Sequence, residues 1–166
     1  MRKLIALSLL AASLQALGQS TFTVSLDQAQ EVGPTGSPAF GSGTLTLNPD
    51  NTVTYNISYA GLTGDWTASH IHGNATSFPG FNAGVIVGLN NIPDGTRAGV
   101  LQGTTAPLTA TQVGFITGGS AYVNIHSTTF GGGEIRGQMV AVPEPSILAL
   151  GGLGLAGLWL GARRRS

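Results

Sequence analysis

Several segments of the chain are β-rich or alternate apolar and polar residues with a period of two, and this pattern is missing at both ends. Successive side chains of an extended backbone point to opposite faces, so such runs predict half-buried β-strands. Phe22, Val24 and Leu26 share one face of a first segment, and Leu45 and Leu47 share one face of Gly43 to Leu47. Val53, Tyr55, Ile57 and Tyr59 do the same in Thr52 to Tyr59. Between these last two lies Asn48-Pro49-Asp50-Asn51, a turn sequence that predicts a hairpin. Trp66 to His72, Gly84 to Leu89, Ala98 to Gln102, Ala121 to His126 and Glu134 to Val140 complete the set. One short helix is expected after Thr109, which stands three residues before Gln112, the spacing of a capping box; Gly118-Gly119 ends it. About eight short strands, glycine-rich loops and one bridging helix predict an all-β fold, an antiparallel Greek-key sandwich or barrel.

The ends carry unbroken apolar runs instead. Arg2 and Lys3 precede an apolar stretch from Leu4 to Leu17, and Ala16-Leu17-Gly18 offers small residues for cleavage before Gln19, so residues 1–18 read as a secretory signal peptide. At the other end Pro143, Glu144 and Pro145 precede an apolar, glycine-striped run from Ile147 to Ala162 and then Arg163, Arg164 and Arg165. This run is slightly short of the ~20 residues of a comfortable membrane span. Its arginines would sit on the cytoplasmic side. Residues 143–166 resemble the bacterial PEP-CTERM sorting signal: a Pro-Glu-Pro motif, a glycine-rich transmembrane segment and a terminal arginine cluster. The resemblance implies a Gram-negative bacterium that makes exopolysaccharide. It also implies signal peptidase and an exosortase as processing partners, an inner-membrane intermediate, and release to the cell surface or matrix. A permanent single-span anchor is the alternative.

Net charge changes its meaning once these ends are set apart. The whole chain has seven basic and seven acidic residues, but five of the basic ones lie in the two terminal segments. Residues 19–142 keep Arg97 and Arg136 against Asp27, Glu31, Asp50, Asp65, Asp94 and Glu134, a formal charge of −4. An acidic domain argues against nucleic acid as a partner. The absence of cysteine excludes disulfides, zinc thiolates and thiol catalysis. There is no Gly-x-Ser-x-Gly elbow, and Gly131-Gly132-Gly133 is a hairpin turn rather than a phosphate loop, since no Lys-Ser/Thr and no helix follow it.

The three histidines are the candidate chemistry. His70 and His72 lie on one face of their strand with Trp66 and Ala68, about 6 to 7 Å apart at a rise of ~3.3 Å per residue. Tyr122, Asn124 and His126 share a face of another strand, opposite the apolar Val123 and Ile125. If the two strands are neighbours, His70, His72 and His126 can meet around one ion, and three nitrogens with an open position suit Zn(II) or Cu(II). Glu134 or Asp65 could add an oxygen ligand. Pairing with Asn124 or Glu134 would satisfy a histidine equally well. Glu134 and Arg136 project to one face and are expected to act structurally, as partners of polar or charged groups on a neighbouring strand. Asp65, Asp94 and Arg97 are further candidates for such pairs. Phe78, Pro79 and Phe81 fall in a polar loop, as a contact for sugar rings or a partner protein, or as a lid on the core.

Ala68-Ser69-His70-Ile71-His72-Gly73, Leu108-Thr109 with Gln112, Tyr122-Val123-Asn124-Ile125-His126 and Gly133-Glu134-Ile135-Arg136-Gly137-Gln138 together are similar to the CHRD domain, over roughly Phe22 to Val140. The resemblance implies an immunoglobulin-like or Cu/Zn superoxide-dismutase-like β-sandwich. That enzyme also uses a His-x-His strand pair. This chain lacks its zinc loop, its further copper histidine and its disulfide, so dismutase activity is not expected. Two functions remain. One is an exported, non-catalytic surface or matrix protein that binds polysaccharide or protein, with no cofactor. The other is a histidine-based copper, zinc or redox protein of the envelope.

Overall fold

The computed structural model describes residues 19–75, 81–89 and 95–143. The signal-peptide segment 1–18, Phe78, Pro79, Asp94, Glu144, Pro145, the apolar run 147–162 and Arg163 to Arg165 lie outside these residues. Among the described residues no helix is long and apolar enough to cross a membrane.

The alternating segments become strands β1 (Ser20–Asp27), β2 (Phe40–Leu47), β3 (Val53–Ala60), β4 (Trp66–Gly73), β5 (Val85–Gly88), β6 (Gly99–Thr104), β7 (Ala121–Ser127), β8 (Ile135–Gln138) and β9 (Val140–Ala141). The run expected from Glu134 to Val140 is two strands rather than one. Met139 leaves the ladder and gives its amide to the Ala121 carbonyl. The helix α1 (Ala110–Thr117) begins at Thr109, with both halves of the capping box formed, and ends at Gly118. The Asn48–Asn51 turn holds β2 against β3. Asp50 accepts hydrogen bonds from the Thr52 amide and hydroxyl, and Asn51 takes the left-handed conformation (φ 65°).

All strand pairs are antiparallel, in the order β5-β4-β7-β8-β1-β2-β3-β6, with β9 beside β1. The chain crosses between the two halves of this sheet from β3 to β4, from β5 to β6, and from β6 through α1 to β7. The join at β8 and β1 is narrow, a single residue pair (Asp27 with Arg136) continued by β9. Inner residues of both halves, among them Leu26, Leu45, Ile57, Ile71, Val123, Ile125 and Ile135, form one apolar cluster. The sheet therefore curls around a shared core, which is the arrangement that buries the apolar face of the alternating strands.

Trp66 departs from its expected face. A bulge at Thr67 lets Trp66 pair with Ser127 while Ala68 pairs with His126, so one extra residue separates them. Trp66 turns into the core, 4% exposed, and donates from its indole nitrogen to Ser69 Oγ at 2.8 Å. The bulge leaves Ala68, His70 and His72 together on the outer face.

The outer surfaces of the two halves differ. On β1, β2, β3 and β6 the registers align three rungs across four strands: Thr21, Thr46, Thr54 and Thr104; Thr23, Thr44, Asn56 and Gln102; Ser25, Ser42, Ser58 and Val100. None of these positions is charged. On β4, β7 and β8 the outer positions are His70, His72, Tyr122, Asn124, His126 and Arg136, and β7 is buried on both of its faces.

Candidate functional site

Strand pairing brings the three histidines together although His72 and His126 stand 54 positions apart in the chain. β4 lies directly beside β7, with His70 opposite Asn124, His72 opposite Tyr122 and Ala68 opposite His126. Each histidine offers a ring nitrogen, and the three lie within 4.8 Å of one another. The ring centroids are 5.0 Å apart for His70 and His126, 5.5 Å for His70 and His72, and 5.9 Å for His72 and His126.

Hydrogen bonds set which nitrogens face inward. The Nδ1 of His72 lies 2.9 Å from the Ala83 carbonyl, and that of His126 lies 3.1 Å from the Gly131 carbonyl. A carbonyl can only accept, so each Nδ1 carries the proton and each Nε2 keeps its lone pair. His126 Nε2 then accepts from His70 Nδ1 at 3.1 Å. Among the described residues His72 Nε2 is buried with no hydrogen-bond partner. A ring whose far nitrogen is tied to a carbonyl and whose near nitrogen is bare has the arrangement of a metal ligand. An ion bound at ~2.0–2.1 Å to each nitrogen would set them about 3.4 Å apart, close to the 3.1 Å between His70 Nδ1 and His126 Nε2, with the His70 proton moved to its other nitrogen.

The electrostatics keep the rings neutral. Burial is the largest influence on all three and lowers each pKa. For His70 the neighbouring His72 adds to it. For His72 the Ala83 hydrogen bond opposes it and Arg136 adds to it. His126, 8% exposed, is brought down to about 4, by burial first and then by repulsion from His70 and His72, against the Gly131 hydrogen bond. Neutral imidazole is the form that binds a metal.

Arg136 and Tyr122 wall one side. The Arg136 guanidinium carbon sits 3.4 Å from the Tyr122 ring centroid, and the His72 ring stacks on Tyr122 at 5.1 Å with 9° between planes. Arg136 donates from Nη1 to the Phe81 carbonyl at 2.9 Å, while its Nη2 has no partner among the described residues. The Ala83 amide donates to the Tyr122 hydroxyl at 3.0 Å. Residues 81 and 83 thus lie across the outer face of β7 and β8 on main-chain hydrogen bonds. The ring of Phe81 is 64% exposed and covers no core.

Glu134 and Asp65 stay apart from the histidines. Glu134 is fully buried and accepts from Ser37 Oγ at 2.6 Å, from the Thr63 amide at 2.7 Å and from the Ser127 hydroxyl. Burial works to raise its pKa, but these hydrogen bonds outweigh burial and hold it below the usual carboxylate value. Asp65 pairs with Arg97 at 3.0 Å on an exposed surface, where such a bridge adds little. Arg136 does not fork onto Glu134. Its carboxylate neighbour is Glu31, which also accepts a hydrogen bond from Asn124 Nδ2. Burial raises the Glu31 pKa, against the pull of Asn124 and Arg136. Glu31 is placed by a 3-10 turn over Gln28–Gln30, whose first amides are capped by Asp27.

Several of these parts have no signature in the chain. The Ala83 and Gly131 carbonyls act through the main chain, which any residue supplies. Glu31 sits in a loop with no periodicity. Gly133 leaves a trace, because its φ of 131° and the Asn124 side chain 2.4 Å from a would-be Cβ require glycine.

Comparison with known proteins bears on both the domain and its tail. The CHRD domain model matches residues 22–139, and the PEP-CTERM protein-sorting motif matches residues 141–165. No curated protein and no solved structure matches the chain. The tail match makes this an exported protein processed by an exosortase-type sorting system, and the domain match covers more than half of its length. The chain belongs to the CHRD domain family.

Proposed function

We propose that this is a non-catalytic protein of the cell surface or extracellular matrix whose domain is pinned by a three-histidine metal site. Residues 1–18 act as signal peptide, residues 19–142 are the mature domain, and residues 143–166 are removed after a brief inner-membrane stage in a Gram-negative cell. The observation that carries the metal reading is the inward-facing, neutral set of His70, His72 and His126, with His72 Nε2 buried and bare. An all-nitrogen set with an open position suits Zn(II) or Cu(II). The curled antiparallel sheet with its crossing connections supports an immunoglobulin-like or superoxide-dismutase-like sandwich.

Metal analysis of the exported protein tests the site. About one equivalent of zinc or copper is expected, and none in the His70→Ala, His72→Ala, His126→Ala variant. Equal substoichiometric metal in both would end the metal reading. Mass spectrometry of the exported form tests the processing. An intact Ile147 to Ser166 segment there would leave the anchored form as the correct one.

A further inference from the structure

We propose that the outer face of β1, β2, β3 and β6, uncharged over three rungs, docks a neutral polysaccharide. The proposal takes its setting from the surface-protein reading and names the partner that reading leaves open. Three aligned rungs present hydroxyl and amide groups at eleven of twelve positions. They repeat every 4.7–4.9 Å across strands and about 6.6 Å along them, a two-dimensional lattice of donors and acceptors. In the central rung Thr23, Thr44 and Asn56 make no side-chain hydrogen bond among the described residues, so these groups are available to a partner.

Charge and apolar area narrow the occupant. The three rungs carry no ionic group, and the carboxylate of the next rung, Asp27 opposite Phe40, is turned to the Ala29 and Gln30 amides, so nothing there draws a polyanion and little is left to draw a polycation. With Val100 as the one aliphatic position, it lacks the apolar centre of a protein interface. Phe40 supplies the remaining clue. It lies on the same face of β2, one step beyond Ser42, and is 64% exposed. An exposed aromatic ring level with a hydroxyl lattice offers a flat platform for the C–H face of a pyranose. Hydroxyl pairing along the rungs and stacking at their end are complementary to a neutral chain of sugars.

The test is affinity electrophoresis of the exported protein through gels containing hydroxyethyl cellulose, dextran or galactomannan, with alginate as the anionic comparison. Retardation is expected in at least one neutral polymer, not in alginate, and unchanged by EDTA. Phe40→Ala and Thr44→Asp alter exposed side chains and leave the unfolding midpoint in place, yet each is expected to weaken retention at least tenfold. Absence of retardation in all three neutral gels would overturn the proposal, as would retention that survives both substitutions. A wild-type dimer in sedimentation that Thr44→Asp makes monomeric would also overturn it, by assigning the face to a second copy. Loss of the metal site would leave retention intact, and a protein that never leaves the cell fraction would sink the surface reading alone.

Discussion

The two halves of the sheet are built from the same alternating sequence pattern, yet their outer faces differ in kind. The outer face of β1, β2, β3 and β6 meets water, and three of its rungs carry hydroxyls and amides at every position but Val100. The outer face of β4, β7 and β8 is covered by Glu31, residues 81 and 83 and the 130–133 turn, and it buries Asn124, His126 and Arg136. A polar residue under water costs nothing to leave unpaired. A buried one must find a partner or destabilise the fold by about 1–3 kcal/mol. Among the described residues the covered half has nearly all of its polar atoms assigned, and the two left over, His72 Nε2 and Arg136 Nη2, stand out against that background.

Substitutions can break this contrast. Glu134→Ala strips partners from Ser37, Thr63 and Ser127 at once, and a loss of roughly 3–5 kcal/mol is expected in urea unfolding. A loss under 1 kcal/mol would mean that the covered half is wetter than its burial implies. Acid is the next lever, applied to metal-free protein. His126 titrates near 6.5 when unfolded and near 4 when folded, so the unfolded state binds more protons between those values. Its contribution is complete above pH 6.5 and is lost as pH falls toward 4, on the order of 3 kcal/mol. The difference between wild type and His126→Gln, followed across that window, isolates it; a flat difference refutes it. Gly133→Ala forces a Cβ onto Asn124 at a positive φ and should cost about 2 kcal/mol while loosening the loop cover. Thr44→Ala, on the open face, should stay within about 0.5 kcal/mol, and a larger loss would erase the distinction between the halves.

Much of this contrast can be read from the chain. Alternation located the strands because one face of each was going to be buried. Thr109 and Gln112 placed the helix start because two orphan amides there need side-chain acceptors. His70 and His72 shared a face by parity alone. Parity failed at Trp66, since a bulge inserts one residue and shifts every position before it to the opposite face. It also mistook β7 for a half-buried strand. Whether Tyr122, Asn124 and His126 see water depends on loops that carry no periodic signal.

The sequence by itself determined what is local: strand faces, turn positions, the capped helix and the sorting tail. Each follows from a spacing of two to four residues or from composition. Only the tertiary structure decided which strands are neighbours, and so whether His126 stands beside His70 or across the molecule from it. It alone brought the carbonyls of Ala83 and Gly131 to the imidazoles. Those contacts join residues far apart in the chain, through backbone groups common to every amino acid, and no side-chain pattern encodes them.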